Sequence, residues 1–151
     1  MLVKEDYAME ILTLGEKIKR RRKEQKMTLK DLAGDRITPG QISLVESGRS
    51  NPSMDLLEYL ANALQTSVEY LMDSEETQAE KICIYYEQSA ETYILNEDYI
   101  SAEEYIENAL FYAEKYKLEY RKAKNLFLRA NICNAKNELV LAQQLYLSAN
   151  V

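Results

Sequence analysis

A chain of 151 residues that is 46% apolar and 29% charged can bury one core or two small ones, and with no histidine it cannot build an imidazole nucleophile pair or metal site. Four glycines and two prolines are too few for the turns of a β-sandwich or for a phosphate-cradling loop, which leaves an all-α class with short connections. The net charge of −6 hides an asymmetry: residues 14–50 carry ten Lys or Arg against five Asp or Glu, whereas residues 74–151 carry eight against thirteen. A basic segment tethered to an acidic one fits a nucleic-acid module joined to something else, although a basic helix face is also ordinary solvated surface.

The opening residues, Met1 to Glu10, lack the apolar centre of a signal peptide, and no run approaches the roughly 20 apolar residues of a membrane span. A cytoplasmic protein is expected. Cys83 and Cys133 stand fifty positions apart inside helical patterns and read as small buried hydrophobes of a reducing compartment. Nothing in the sequence points to a metal, a cofactor or an enzymatic activity.

The first strong helix start is Thr13-Leu14-Gly15-Glu16, which has the form of a capping box. The helix runs to about Gln25, with Leu14 and Ile18 facing inward and Glu16, Arg20 and Glu24 at i,i+4 spacing. Thr28 opens a short second helix with Leu29, Leu32 and Ala33 facing in, and Gly34 to Ile37 make a turn. Thr38-Pro39-Gly40-Gln41 is a second capping box with proline at the first helical position, where its missing N–H costs nothing. Ile42 and Val45 point inward, Gly48 suits a left-handed cap, Ser53 begins a fourth helix through Leu56, Leu57, Leu60, Ala63 and Leu64, and Ser67 begins a fifth.

Two short helices joined by a tight turn, within five helices in under sixty residues, resemble the phage-repressor-type (XRE-like) helix-turn-helix domain. The matching strings are Gly15 to Ile18, Leu32-Ala33 and above all Ile42 to Ser53. The resemblance implies that residues 9–73 form a DNA-binding domain whose helix from Thr38 to Ser47 lies in the major groove. It places Thr38, Pro39, Gly40, Gln41, Ser43 and Leu44 toward the bases. Arg49, Ser50, Asn51 and the helix start at Thr28 fall on phosphates. It further implies that Arg22 pairs with Glu46. Base readout then falls chiefly to Gln41, bidentate to adenine, and to Ser43, with Leu44 against a thymine methyl. The alternative for Gln41 is that it only closes the capping box.

From residue 77 onward the helical pattern continues, opened by an expected third box at Thr77-x-x-Glu80. Breaks are expected near Asn96-Glu97, Tyr116-Lys117 and Lys136-Asn137, which would give four helices in two hairpins. A repeat is visible: Tyr99, Ala102, Ile106 and Ala109 recur forty positions later as Leu139, Ala142, Tyr146 and Ala149, and Ala90 and Tyr93 recur as Ala130 and Cys133. Residues 77–151 thus resemble tetratricopeptide (TPR) hairpins, with a stretched period. By that register Glu87, Glu91, Ile94, Lys124, Phe127, Asn131 and Asn134 line a groove for a peptide or protein partner, or else form plain solvated surface. Leu145, Tyr146 and Leu147 give the last helix an apolar face that invites a second copy of the chain. The combination resembles the peptide-responsive helix-turn-helix–TPR regulators of Gram-positive bacteria. That likeness implies a dimeric, sequence-specific regulator binding double-stranded DNA and answering a short signalling peptide. The competing reading is a protein-interaction module whose helix-turn-helix serves as scaffold.

Overall fold

A computed structural model of the protein describes residues 10–149. The first residue of the expected DNA-binding domain, the last two of the TPR-like one and nearly all of the Met1–Glu10 segment lie outside the described residues. Those described form helices and no strand: α1 (Leu14–Glu24), α2 (Leu29–Ala33), α3 (Pro39–Glu46), α4 (Met54–Ala63), α5 (Val68–Met72), α6 (Glu75–Leu95), α7 (Tyr99–Lys115) and α8 (Glu119–Ala149). They fall into two compact units, residues 1–78 and 79–151.

In the first unit every helix from α1 to α5 begins at a Ser or Thr whose hydroxyl accepts from a backbone N–H in the first turn. Such a cap stabilises a helix by about 1 kcal/mol, and five of them explain how helices of five to eleven residues persist in so small a domain. The inward residues Ile18, Leu32, Ile42, Leu60 and Leu64 are fully buried in one cluster, with Val45 and Leu71 beside them. Helix ends are closed by long polar side chains. The Nζ of the buried Lys17 donates to the carbonyls of Tyr70 and Asp73 at 2.8 Å each, at the end of α5. Arg21 and Gln25 likewise reach the carbonyl of Leu64 after α4. Cations at helix C-termini meet the negative end of the helix dipole. Arg20 pairs with Glu10, a contact the expected Glu16–Arg20–Glu24 spacing did not include.

The second unit holds most of α6 with α7 and α8. Ala90, Ala102, Ile106 and Ile132 are fully buried in one cluster, and Tyr93 stacks on Tyr105 at 5.3 Å. The small alanines let the backbones approach while the tyrosines fill the flanks. Two of the three expected breaks occur. The chain turns at Glu97 (φ 60°) and at Lys117 (φ 55°), each in a left-handed conformation. Each turn is closed by a backbone bond, Asp98 N–H to Tyr93 O at 2.9 Å and Leu118 N–H to Ala113 O at 2.8 Å.

The third break does not occur. Residues 136 and 137 lie within α8, one helix of 31 residues, so the second hairpin is absent. No glycine or proline stands there, and Lys136 is held in place by Glu103 at 2.9 Å. Two smaller corrections follow. Ser74, not Thr77, starts α6: its Oγ accepts from the Thr77 N–H at 3.1 Å, and Glu75 and Glu76 then occupy the first turn, where the dipole favours acid. Cys133 is exposed rather than buried, because it sits on the side of α8 away from Leu128 and Ile132; only Cys83 is a core thiol.

Candidate nucleic-acid interface

The geometry centres on α3. Thr38 caps it: its Oγ1 accepts from the Gln41 N–H at 3.1 Å, and the Gln41 Oε1 accepts from the Thr38 N–H at 2.9 Å. Pro39 fills the first helical position. The inner face is Ile42, fully buried, and Val45. On the outside Thr38, Pro39, Gly40, Gln41, Ser43 and Leu44 are all exposed, Leu44 to 44%. An exposed leucine beside two buried aliphatic residues on one short helix means that the outer face is not part of the core.

Two contacts fix α3 against α1. At Gly15 a Cβ would run into the Glu46 carbonyl oxygen and come within 2.6 Å of the Val45 carbonyl oxygen, so the backbones touch and only glycine fits. Seven residues further along α1, Arg22 meets Glu46 through a two-pronged fork, Nε to Oε2 at 2.7 Å and Nη2 to Oε1 at 3.0 Å. The remaining Nη1 donates to the Met27 carbonyl at 3.0 Å. Both side chains are largely shielded from solvent, at 12% and 7% exposure. The hydrogen bond with Glu46 outweighs burial and raises the Arg22 guanidinium above its ordinary value, so it stays charged. A planar, bidentate pair orients as well as binds.

Past α3, Gly48 adopts φ 79° and the Arg49 N–H donates to the Leu44 carbonyl at 2.9 Å, a left-handed cap. This turn carries Arg49, Ser50 and Asn51, all exposed. At the start of α2 the sequence reading missed a feature. Thr28 and Asp31 form a third capping box, Thr28 N–H to Asp31 Oδ2 at 2.9 Å and Asp31 N–H to Thr28 Oγ1 at 3.0 Å. The Asp31 carboxyl is held below its ordinary value by these bonds, the backbone one foremost. An acid therefore already sits at this helix start, and two of its N–H groups are spoken for. The signal was present as Thr28-x-x-Asp31, since Asp serves at that place as Glu does. Gln41 shows the matching trade at α3, where the atom that would accept from adenine accepts from the backbone instead.

The residues assigned to the peptide groove do not form one set. Glu87 is buried, at 1% exposure, and cannot line an open groove. Its Oε2 accepts from Arg121 Nη1 at 2.7 Å and its Oε1 from Asn125 Nδ2 at 2.8 Å, a cluster made because a carboxylate facing α8 must be neutralised there. Lys124 lies 3.2 Å from Glu91 and 3.8 Å from Glu87. Phe127, Asn131 and Asn134 are exposed and Ile94 is half-buried. Arg121 and Asn125 are the residues missed: an Arg and an Asn one turn apart carry no sign of burial until the facing carboxylate is known.

Among the described residues no group of His, Cys, Asp or Glu could hold a metal, and no helix is long and apolar enough to cross a membrane. Comparison with curated proteins and with solved structures gives no match. Residues 18–71 match the helix-turn-helix family model, and this span contains α2 and α3, with Arg22 and Glu46. The match covers just over a third of the chain, so the likeness to a DNA-binding helix-turn-helix domain is that of this segment, within a fold whose described residues form helices and no strand.

Proposed function

We propose that the protein is a sequence-specific transcriptional regulator, acting inside the cell as a dimer whose two α3 helices enter successive major grooves of duplex DNA about 34 Å apart. The observation that supports this most is the fixation of α3. It is clamped from within by the close approach of Gly15 and by the Arg22–Glu46 fork, while its face from Thr38 to Leu44 stays exposed. Arg49, Ser50 and Asn51 on the following turn hold phosphates and set the register. Thr28 contributes to phosphate binding through the N–H groups that its box with Asp31 leaves over. Ser43 and Leu44 touch base edges. Gln41 reads adenine by exchanging its bond to the Thr38 N–H for the base, so its readout competes with its capping role. The C-terminal unit is a TPR-like module for dimerisation or for a protein or peptide partner, with Glu91, Lys124, Phe127, Asn131 and Asn134 as its contact positions.

A salt titration of binding to random and selected duplexes tests this reading. Affinity should fall linearly in log–log form, with a slope of about −0.9 per phosphate neutralised. Arg49→Ala should weaken all sequences alike and flatten that slope by about 1, while Gln41→Ala should relax preference at a single base pair. Absence of saturable duplex binding at low salt would instead favour the interaction module.

A further inference from the structure

Resting on the regulator reading above, we infer that Tyr59 is a positioning residue for DNA recognition: from α4 it fixes the N-terminal, base-facing end of α3 without itself touching the duplex. The Gly15 contact and the Arg22 fork grip the other end of α3, at Val45 and Glu46. Thr38 stands about 12 Å back from that grip at 1.5 Å per residue, so a tilt of about 10° would carry it about 2 Å. A binding constellation tolerates about 0.5 Å. The buried Ile42 and the partly buried Ile37 resist such a tilt only through apolar contact, which has no direction.

Tyr59 supplies the directional contact. Its hydroxyl donates to the Leu32 carbonyl at 2.8 Å and leans on the Ala33 carbonyl at 3.2 Å. These carbonyls end α2, a helix of five residues that is too short to hold its own terminus. The Ala33 carbonyl also accepts from the N–H groups of Arg36 at 3.2 Å and Ile37 at 3.3 Å, which closes the turn running into the Thr38 cap. One tyrosine therefore holds that turn at its origin.

Its surroundings fit this use. Gly34 leaves the hydroxyl room to enter, since a Cβ there would stand 2.9 Å from it. The Arg36 guanidinium lies over the Tyr59 ring, 5.5 Å from its centre, a cation–π contact from the turn back to α4. The helix that carries Tyr59 is firmly seated, capped by Ser53 and buried through Leu57, Leu60 and Ala61.

The test is Tyr59→Phe in the full chain, which keeps the ring under Arg36 and removes only the hydroxyl. Circular dichroism establishes that the variant is folded at the assay temperature. Amide hydrogen exchange then reads the position of α3 directly. The Ile37 and Ile42 N–H groups, bonded to the Ala33 and Thr38 carbonyls, should exchange about ten-fold faster, while the Ser47 N–H at the gripped end should change by less than about two-fold. Equal acceleration at both ends would mean a general loosening of the domain, and no change at either would mean an idle hydroxyl; each overturns the inference. Affinity for a duplex selected from a random pool should fall about ten-fold, the order of one base contact. Affinity for a random-sequence duplex, and the salt slope, should hold, because no phosphate contact is lost. An unchanged affinity for the selected duplex, or a proportional loss on both duplexes, would overturn the inference as well. A parent chain that binds no duplex would sink the regulator reading instead, and the fixation of α3 by Tyr59 would stand or fall on the exchange result alone.

Discussion

Each unit of this protein ties two helices together with a buried carboxylate and an arginine, and the two ties are finished differently. In the first unit Glu46 gives both oxygens to one guanidinium, and the third nitrogen of Arg22 goes to the Met27 carbonyl, so every prong is used. In the second unit Glu87 divides its oxygens between Arg121 and Asn125; among the described residues neither Arg121 Nε nor Asn125 Oδ1 has a hydrogen-bond partner, although that Nε lies 3.6 Å from Glu80 Oε1. A bidentate fork fixes the angle between two elements, whereas a shared carboxylate fixes only their distance. The first tie holds α3 at a set orientation, which the proposed reading of a duplex would require. The second holds a helical array together and leaves polar capacity over.

The contrast can be broken at its strongest point by Gly15→Ala. The added methyl meets the Glu46 and Val45 carbonyls, which are backbone and cannot swing away. A loss of about 3 kcal/mol is expected, confined to the first unit, so that calorimetry shows one transition moved and another unchanged. A single unshifted transition would mean that α1 and α3 are not in backbone contact. Next in size, Arg22→Ala should cost about 3 kcal/mol by leaving Glu46 shielded and unpaired, and Glu87→Gln should cost less, because the amide still accepts from Arg121 or Asn125. Equal losses from the two would erase the distinction between a closed tie and an open one.

The smallest effect concerns the Thr28–Asp31 cap. The folded Asp31 carboxyl lies below its ordinary 3.8, so its contribution is present above that value and is lost as pH falls through the lower folded one. The melting temperature of Asp31→Asn should therefore fall less steeply in acid than that of the parent chain. Parallel acid slopes for the two would count against the cap.

The local architecture of the first unit was legible because it is written in local chemistry. Thr13, Thr38, Ser53 and Ser67 start helices where they stand in the sequence, and Gly48 ends α3 with a positive φ. The Arg22–Glu46 contact was accessible only through the family resemblance, which carried a pairing across 24 positions. Capping competes with function at two of the expected contacts. Gln41 could be read either as cap or as reader, and its bond to the Thr38 N–H shows it serving the cap. At Thr28 the partner Asp31 went unread.

By itself the sequence determined the all-helical class, the starts of α1 to α5, the two turns at Glu97 and Lys117 and the buried stripe of α3. These depend on hydrogen bonds and periodicities spanning a few residues. Only the tertiary structure decided that Glu87 turns inward, that Arg121 and Asn125 answer it, that Cys133 faces outward and that α8 runs straight through residues 136 and 137. Each of these depends on which helix lies opposite. A helical period gives the faces of a helix, but the neighbour that covers each face is fixed by packing between residues far apart in the chain.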